Sequence, residues 1–81
     1  MNGSIIGKKV HFSDLYLNVE LLDGRIISTP MNWYKDLENA SFKALLNYKF
    51  ICDGTGIEWS ELDYHLNIGS MLMVVDQKKV A

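Results

Sequence analysis

Between residues 15 and 29 polarity alternates around an Asp-Gly pair, and this pattern constrains the fold more than any other part of the chain. Leu15, Leu17, Val19 and Leu21 recur at every second position, with Tyr16, Asn18, Glu20 and Leu22 between them. Side chains of a β-strand point to opposite faces in turn, so the first set shares one face and the second set the other. Asp23-Gly24 follows, a pair suited to a two-residue type I′ turn because both central positions need positive φ. Arg25 to Thr29 then returns as a strand. A two-residue loop sets the register. Leu21 faces Ile26 and Val19 faces Ser28 on the buried side, while Leu22 faces Arg25 and Glu20 faces Ile27 outside.

The flanking segments extend this hairpin. In Lys8 to Phe12, Val10 and Phe12 share one side and Lys9 and His11 the other, as in a half-buried strand, and Ser13-Asp14 is a turn signal. Pro30 ends the pairing, since it has no N–H to donate. Asn32 is the expected N-cap of a short helix over 33–39, with Trp33, Leu37 and Ala40 toward the sheet. Ser41 caps a second helix whose stripe is Phe42, Leu45 and Leu46 and which ends near Tyr48. Lys49 to Cys52 reads as a strand, Asp53 to Gly56 as a loop and Ile57 to Trp59 as a short return strand. Asn67 caps a final helix presenting Ile68, Met71, Leu72 and Val75, with a terminal strand over 71–75 as the alternative. The expected fold is α+β: a small antiparallel sheet, made of an N-terminal β-meander and a second strand pair, packed by two or three short helices. One domain spans 1–81, with ends expected to fray near 1–4 and 77–81.

Composition narrows the function. At 81 residues the chain is near the lower limit for a self-supporting core. Its 48% apolar content, including two Trp, four Tyr and three Phe, supplies that core without disulfide or metal. So short a chain still exposes apolar surface, which favours a partner or a homo-oligomer. With 8 basic and 10 acidic residues the net charge is −2, which argues against direct nucleic-acid binding. No Lys or Arg lies between Phe50 and Gln77, while Asp53, Glu58, Glu61, Asp63 and Asp76 do. This acidic third is an ordinary solvated face or a surface that meets a basic partner. The lone Cys52 forms no internal disulfide, and its place in Phe50-Ile51-Cys52 predicts a buried small hydrophobe in a reducing cytoplasm. Met1 to Gly7 has no targeting pattern, and the run from Met71 to Val75 is too short to span a bilayer.

Few residues point to chemistry. Glu61, Asp63 and His65 alternate, so an extended backbone projects them to one side as a possible metal or acid–base set. Against this, no second His or Cys stands at ligand spacing. No serine has a His or Lys at a nucleophile–base spacing, and Asp53-Gly54-Thr55-Gly56 lacks the lysine and the following helix of a phosphate loop. Trp33, Trp59 and Leu62 are expected in the core. No cofactor is implied. The preferred site is an interaction surface of Glu58, Glu61, Asp63, Tyr64 and His65, with the outer face of the hairpin, at Tyr16, Leu22 and Ile27, in reserve.

Several motifs, in order, resemble one small bacterial family, the domain of unknown function 2442, from about Lys8 to Met73. They are the opening strand Val10-His11-Phe12, the hairpin Val19-Glu20-Leu21-Leu22-Asp23-Gly24-Arg25, and the helix entry Pro30-Met31-Asn32-Trp33-Tyr34 with Leu37. A glycine followed by Ile57, Trp59, Leu62 and Asp63 completes the set. The family often has proline where Lys35 stands, an acidic-acidic-arginine helix at Phe42-Lys43-Ala44, and an acidic pair at Tyr64 and His65. Of that acidic cluster Asp63 alone carries over. The resemblance implies a free-standing non-enzymatic module, antitoxin-like or the regulatory partner of a small neighbouring protein. It implies no known reaction.

Overall fold

The computed structural model describes residues 5–72. Two three-stranded antiparallel sheets enclose the core. The first comprises β1 (Gly7–Phe12), β2 (Tyr16–Leu21) and β3 (Ile26–Pro30), in that order. A 3₁₀ turn (Met31–Trp33), helix α1 (Lys35–Glu38) and helix α2 (Phe42–Leu46) connect it to the second. That sheet comprises β4 (Lys49–Ile51), β5 (Gly56–Trp59) and β6 (Tyr64–Asn67), and a 3₁₀ segment at Ile68–Leu72 follows. The α-helices are four and five residues long, so the helical part of the expected α+β fold is minor. The expected second strand pair is a triplet, because Tyr64–Asn67 adds a third strand.

The meander stands as expected, but its hairpin register is shifted by one residue. Val19 pairs with Ile27, Asn18 with Ser28 and Leu17 with Thr29. The loop has three residues, Leu22 to Gly24. Gly24 N–H donates to the Leu21 carbonyl at 3.0 Å, and Leu21 N–H donates to the Arg25 carbonyl at 2.8 Å. Only Gly24 has positive φ, at 97°. A three-residue loop ending in a left-handed residue therefore replaces the type I′ turn. Asp23 favours this loop, since its Oδ1 accepts from Arg25 N–H and its Oδ2 from Arg25 Nε. These bonds hold the Asp23 carboxyl below the ordinary carboxylate range.

A one-residue slip exchanges the faces of the returning strand. Thr29 is buried and Ile27 half-buried, while Ile26 is exposed. On β2 the expected face holds, with Leu17, Val19 and Leu21 buried. Leu15 instead lies in the turn before β2 and is 70% exposed. Polar Asn18 is also buried, and its amide is satisfied by the His11 carbonyl, Ser13 and Ser28.

The helices also differ from expectation. Asn32 lies inside the 3₁₀ turn, and α1 begins after Tyr34 without a side-chain cap. Leu37 is buried, and Trp33 and Ala40 are half-buried. Ser41 caps α2 as expected, accepting from Ala44 N–H at 3.1 Å. The buried pair of α2 is Ala44 and Leu45, which leaves Phe42 and Leu46 exposed. Asn67 does cap the last segment, since its Oδ1 accepts from Ser70 N–H. Ile68 and Met71 are buried there, three residues apart as a 3₁₀ helix requires. Positions 73–75 of the expected final helix or strand lie outside the described residues.

The core joins Val10, Leu17, Val19 and Leu21 of the first sheet to Ile57, Trp59 and Leu66 of the second, closed by Leu37, Leu45, Ile68 and Met71. Trp59 is fully buried as expected, whereas Leu62 is half-buried. Cys52 is exposed instead of buried. It opens a left-handed turn in which Cys52, Asp53 and Gly54 all have positive φ, and this turns its side chain out of the strand.

Candidate functional site

A depression forms where the β1–β2 turn meets the helices. Ser13 and Tyr16 exchange backbone hydrogen bonds across this turn, at 3.0 and 3.4 Å. The Leu15 carbonyl accepts from Met31 N–H at 2.8 Å, which ties the turn to the 3₁₀ segment after β3. The backbone of Leu15 is thus held by a tertiary contact while its side chain stays in solvent. Phe42 is 64% exposed because Ala44 and Leu45 occupy the core-facing side of α2.

A groove of about 570 Å³ lies here, with apolar walls that include Phe12, Leu15, Tyr16, Pro30, Met31 and Phe42. Its lining contains two carboxylates, Asp14 from the turn and Glu38 from α1, and no Lys, Arg or His. Exposed aromatic and aliphatic side chains around a concave surface are typical of a binding site. Alternation and helical spacing predict core positions for Leu15 and Phe42, so the sequence pattern alone does not reveal this groove. The available signal was positional. Leu15 directly follows the Ser13-Asp14 turn, and Phe42 directly follows the Ser41 cap, where neither has a full strand or helix turn to orient it inward.

The five residues expected to form an acidic surface fall into three settings. Glu58 lies mid-strand on the outer face of the second sheet. Its Oε1 is 3.6 Å from Lys49 Nζ and its Oε2 is 3.2 Å from His65 Nε2. Both partners sit directly opposite it on the neighbouring strands, so its charge is locally compensated. Glu61 is exposed in a 3₁₀ turn, Ser60–Leu62. Asp63 is exposed with left-handed backbone (φ 53°, ψ 46°), and its N–H donates to the Ser60 carbonyl. Asp tolerates that conformation better than most residues do. Tyr64 is half-buried, its ring 6.0 Å from that of Trp59. Burial raises the Tyr64 phenol above the ordinary range, and Tyr34 and Asp36 raise it further.

The alternation of Glu61, Asp63 and His65 does not survive folding, because the 3₁₀ turn and the left-handed residue interrupt the extended backbone. Among the described residues no group of three His, Cys, Asp or Glu side chains is arranged to hold a metal ion. No helix among them is long and apolar enough to cross a membrane.

Comparison with known proteins agrees with this fold. A crystal structure of a protein of unknown function from Rhodospirillum rubrum ATCC 11170 superimposes with a TM-score of 0.75. The two sequences are 22% identical over 88% of each chain. No curated protein matches the sequence. The family model described as "Protein of unknown function (DUF2442)" matches residues 8–74. With nearly the whole described fold inside that match, the chain belongs to the DUF2442 family.

Proposed function

We propose that this chain is a non-enzymatic protein-interaction module and that the groove between the β1–β2 turn and α2 is its contact surface. One observation carries the reading: Leu15, Tyr16 and Phe42 are solvent-exposed around a single concavity. Side chains of this kind at the centre of an interface supply most of its affinity. The β1–β2 turn contributes Asp14 to the groove and helix α1 contributes Glu38. Carboxylates there set orientation and association rate. Of the acidic surface expected from sequence, Glu61 and Asp63 are exposed outside the groove lining, while Glu58 and His65 are engaged with each other on the sheet. A role as the regulatory or antitoxin-like partner of a small protein is compatible with such a surface.

The test is site-specific photo-crosslinking in the native host. A benzophenone side chain replaces Leu15 or Phe42 in the groove, or Leu22 at the hairpin tip. Leu22 is a matched control, since it too is 64% exposed. The expected result is a discrete protein adduct from the two groove positions, absent from position 22 and lost when Tyr16→Asp is added. Absence of adducts from both groove positions would refute the reading.

A further inference from the structure

We infer that the groove takes an apolar segment of a partner protein flanked by lysine or arginine. This inference rests on the interaction-module reading and adds the chemistry of the partner. It follows from the mismatch between the two kinds of surface in the groove. The apolar walls select side chains such as leucine or phenylalanine, and a concavity of about 570 Å³ has room for only a short stretch of chain. The carboxylates come from separate walls, Asp14 from the β1–β2 turn and Glu38 from α1, with no cation lining the groove to balance them. Asp14 has no hydrogen bond or ion pair among the described residues. Glu38 has only a long contact, 3.8 Å, with the exposed Lys35. An acidic or neutral segment would bring its own charge or dipoles against an unpaired Asp14 and a weakly paired Glu38, whereas a basic flank completes both. The Asn32 side chain also lines the groove without a partner among the described residues. Its amide can bond the backbone of an extended segment. A second copy of this chain fits less well, since it carries a net charge of −2.

Isotope-labelled full-length protein, titrated with synthetic peptides, tests this. Three short peptides share one leucine-phenylalanine pair and differ only in flanking residues: lysine, glutamine or glutamate. The lysine-flanked peptide should shift the amide resonances of Leu15, Tyr16, Glu38 and Phe42 and bind about fivefold tighter than the glutamine-flanked one, the yield of two exposed ion pairs of ordinary strength. Added salt should erase the preference. Asp14→Asn combined with Glu38→Gln should erase it too, with glutamine-flanked binding retained. Equal affinity for all three peptides, shifts centred on Glu58 and His65, no binding, or self-association that fills the groove would each overturn the inference. Crosslinks in the host at Leu15 and Phe42, together with equal peptide affinities, would leave the interaction module standing and reject only the basic flank.

Discussion

The indole Nε1–H of Trp59 donates to the backbone carbonyl of Leu45 at 3.0 Å inside the core. Leu45 lies in the last turn of α2, where carbonyls have no partner within the helix. The strand residue supplies the missing donor, so one buried bond orients the helix that carries Phe42. Trp59→Phe keeps most of the packing and orphans that carbonyl. The expected loss is about 1–3 kcal/mol in urea unfolding, against about 3–5 kcal/mol for Trp59→Ala.

Gly7 marks the junction of the two sheets. A Cβ added there would run into the ring of Phe50 on β4. Tyr48 tightens the same seam, since its hydroxyl accepts from Val10 N–H at 3.0 Å. Gly7→Ala is expected to cost about 1–3 kcal/mol through overpacking. Phe50→Leu should recover part of that loss, so a double-mutant cycle over the two positions should show a favourable coupling.

Gly24 isolates a backbone effect, because beyond its own chain neighbours no heavy atom lies within 4 Å of an added Cβ while φ is +97°. Gly24→Val should lower stability by about 1–2 kcal/mol, the cost of left-handed backbone in an L-residue. Gly24→Asn should cost less. A thermal melt that treats the two substitutions alike would count against the three-residue loop.

Asp63 is expected to matter through its backbone more than its charge. At φ 53°, Asp63→Gly should fold at least as well as the parent, and Asp63→Val should melt lower. Asp63→Asn, which removes the charge and keeps the conformational tolerance, should leave the melting temperature nearly unchanged.

Tyr34 gives the fold an alkaline limit. It is buried, and its hydroxyl shares a 2.8 Å hydrogen bond with Thr29. Burial holds the phenol above its ordinary range, outweighing the opposing effect of the Thr29 bond. The folded protein therefore keeps a proton that the unfolded chain releases at about pH 10. The associated stability is complete below that pH and is lost as pH rises through the folded value. Tyr34→Phe should flatten this alkaline decline in melts between neutral and strongly basic pH. At neutral pH it should cost about 1–3 kcal/mol for the orphaned Thr29 hydroxyl.

Local periodicity was enough to establish the strands of the meander, the Ser41 cap, the inward faces of Val10, Leu17, Val19 and Leu21, and the burial of Trp59. Each depends on a strand's two-residue repeat or on a hydrogen bond reaching three residues, distances over which neighbouring side chains decide the outcome. The family was legible for a related reason, since its ordered motifs are these same strand and turn signals. The hairpin register was not legible. Asp23-Gly24 suits either a two-residue or a three-residue loop, and the choice falls to packing, which turns Ile27 and Thr29 inward instead of Ile26 and Ser28.

The candidate site lay further out of reach. Leu15 and Phe42 are ordinary core residue types, and their exposure follows from the Leu15–Met31 backbone bond and from Ala44 and Leu45 taking the inner side of α2. Likewise the spacing of Glu61, Asp63 and His65 suggested one shared face until a left-handed Asp63 broke it. Sequence by itself determined which segments pair and which residues prefer burial, because those are short-range and roughly additive preferences. Tertiary structure alone decided which apolar residues were left outside, because a core of this size has fewer places than the chain has apolar side chains, and the competition for them is settled only when all the elements pack at once.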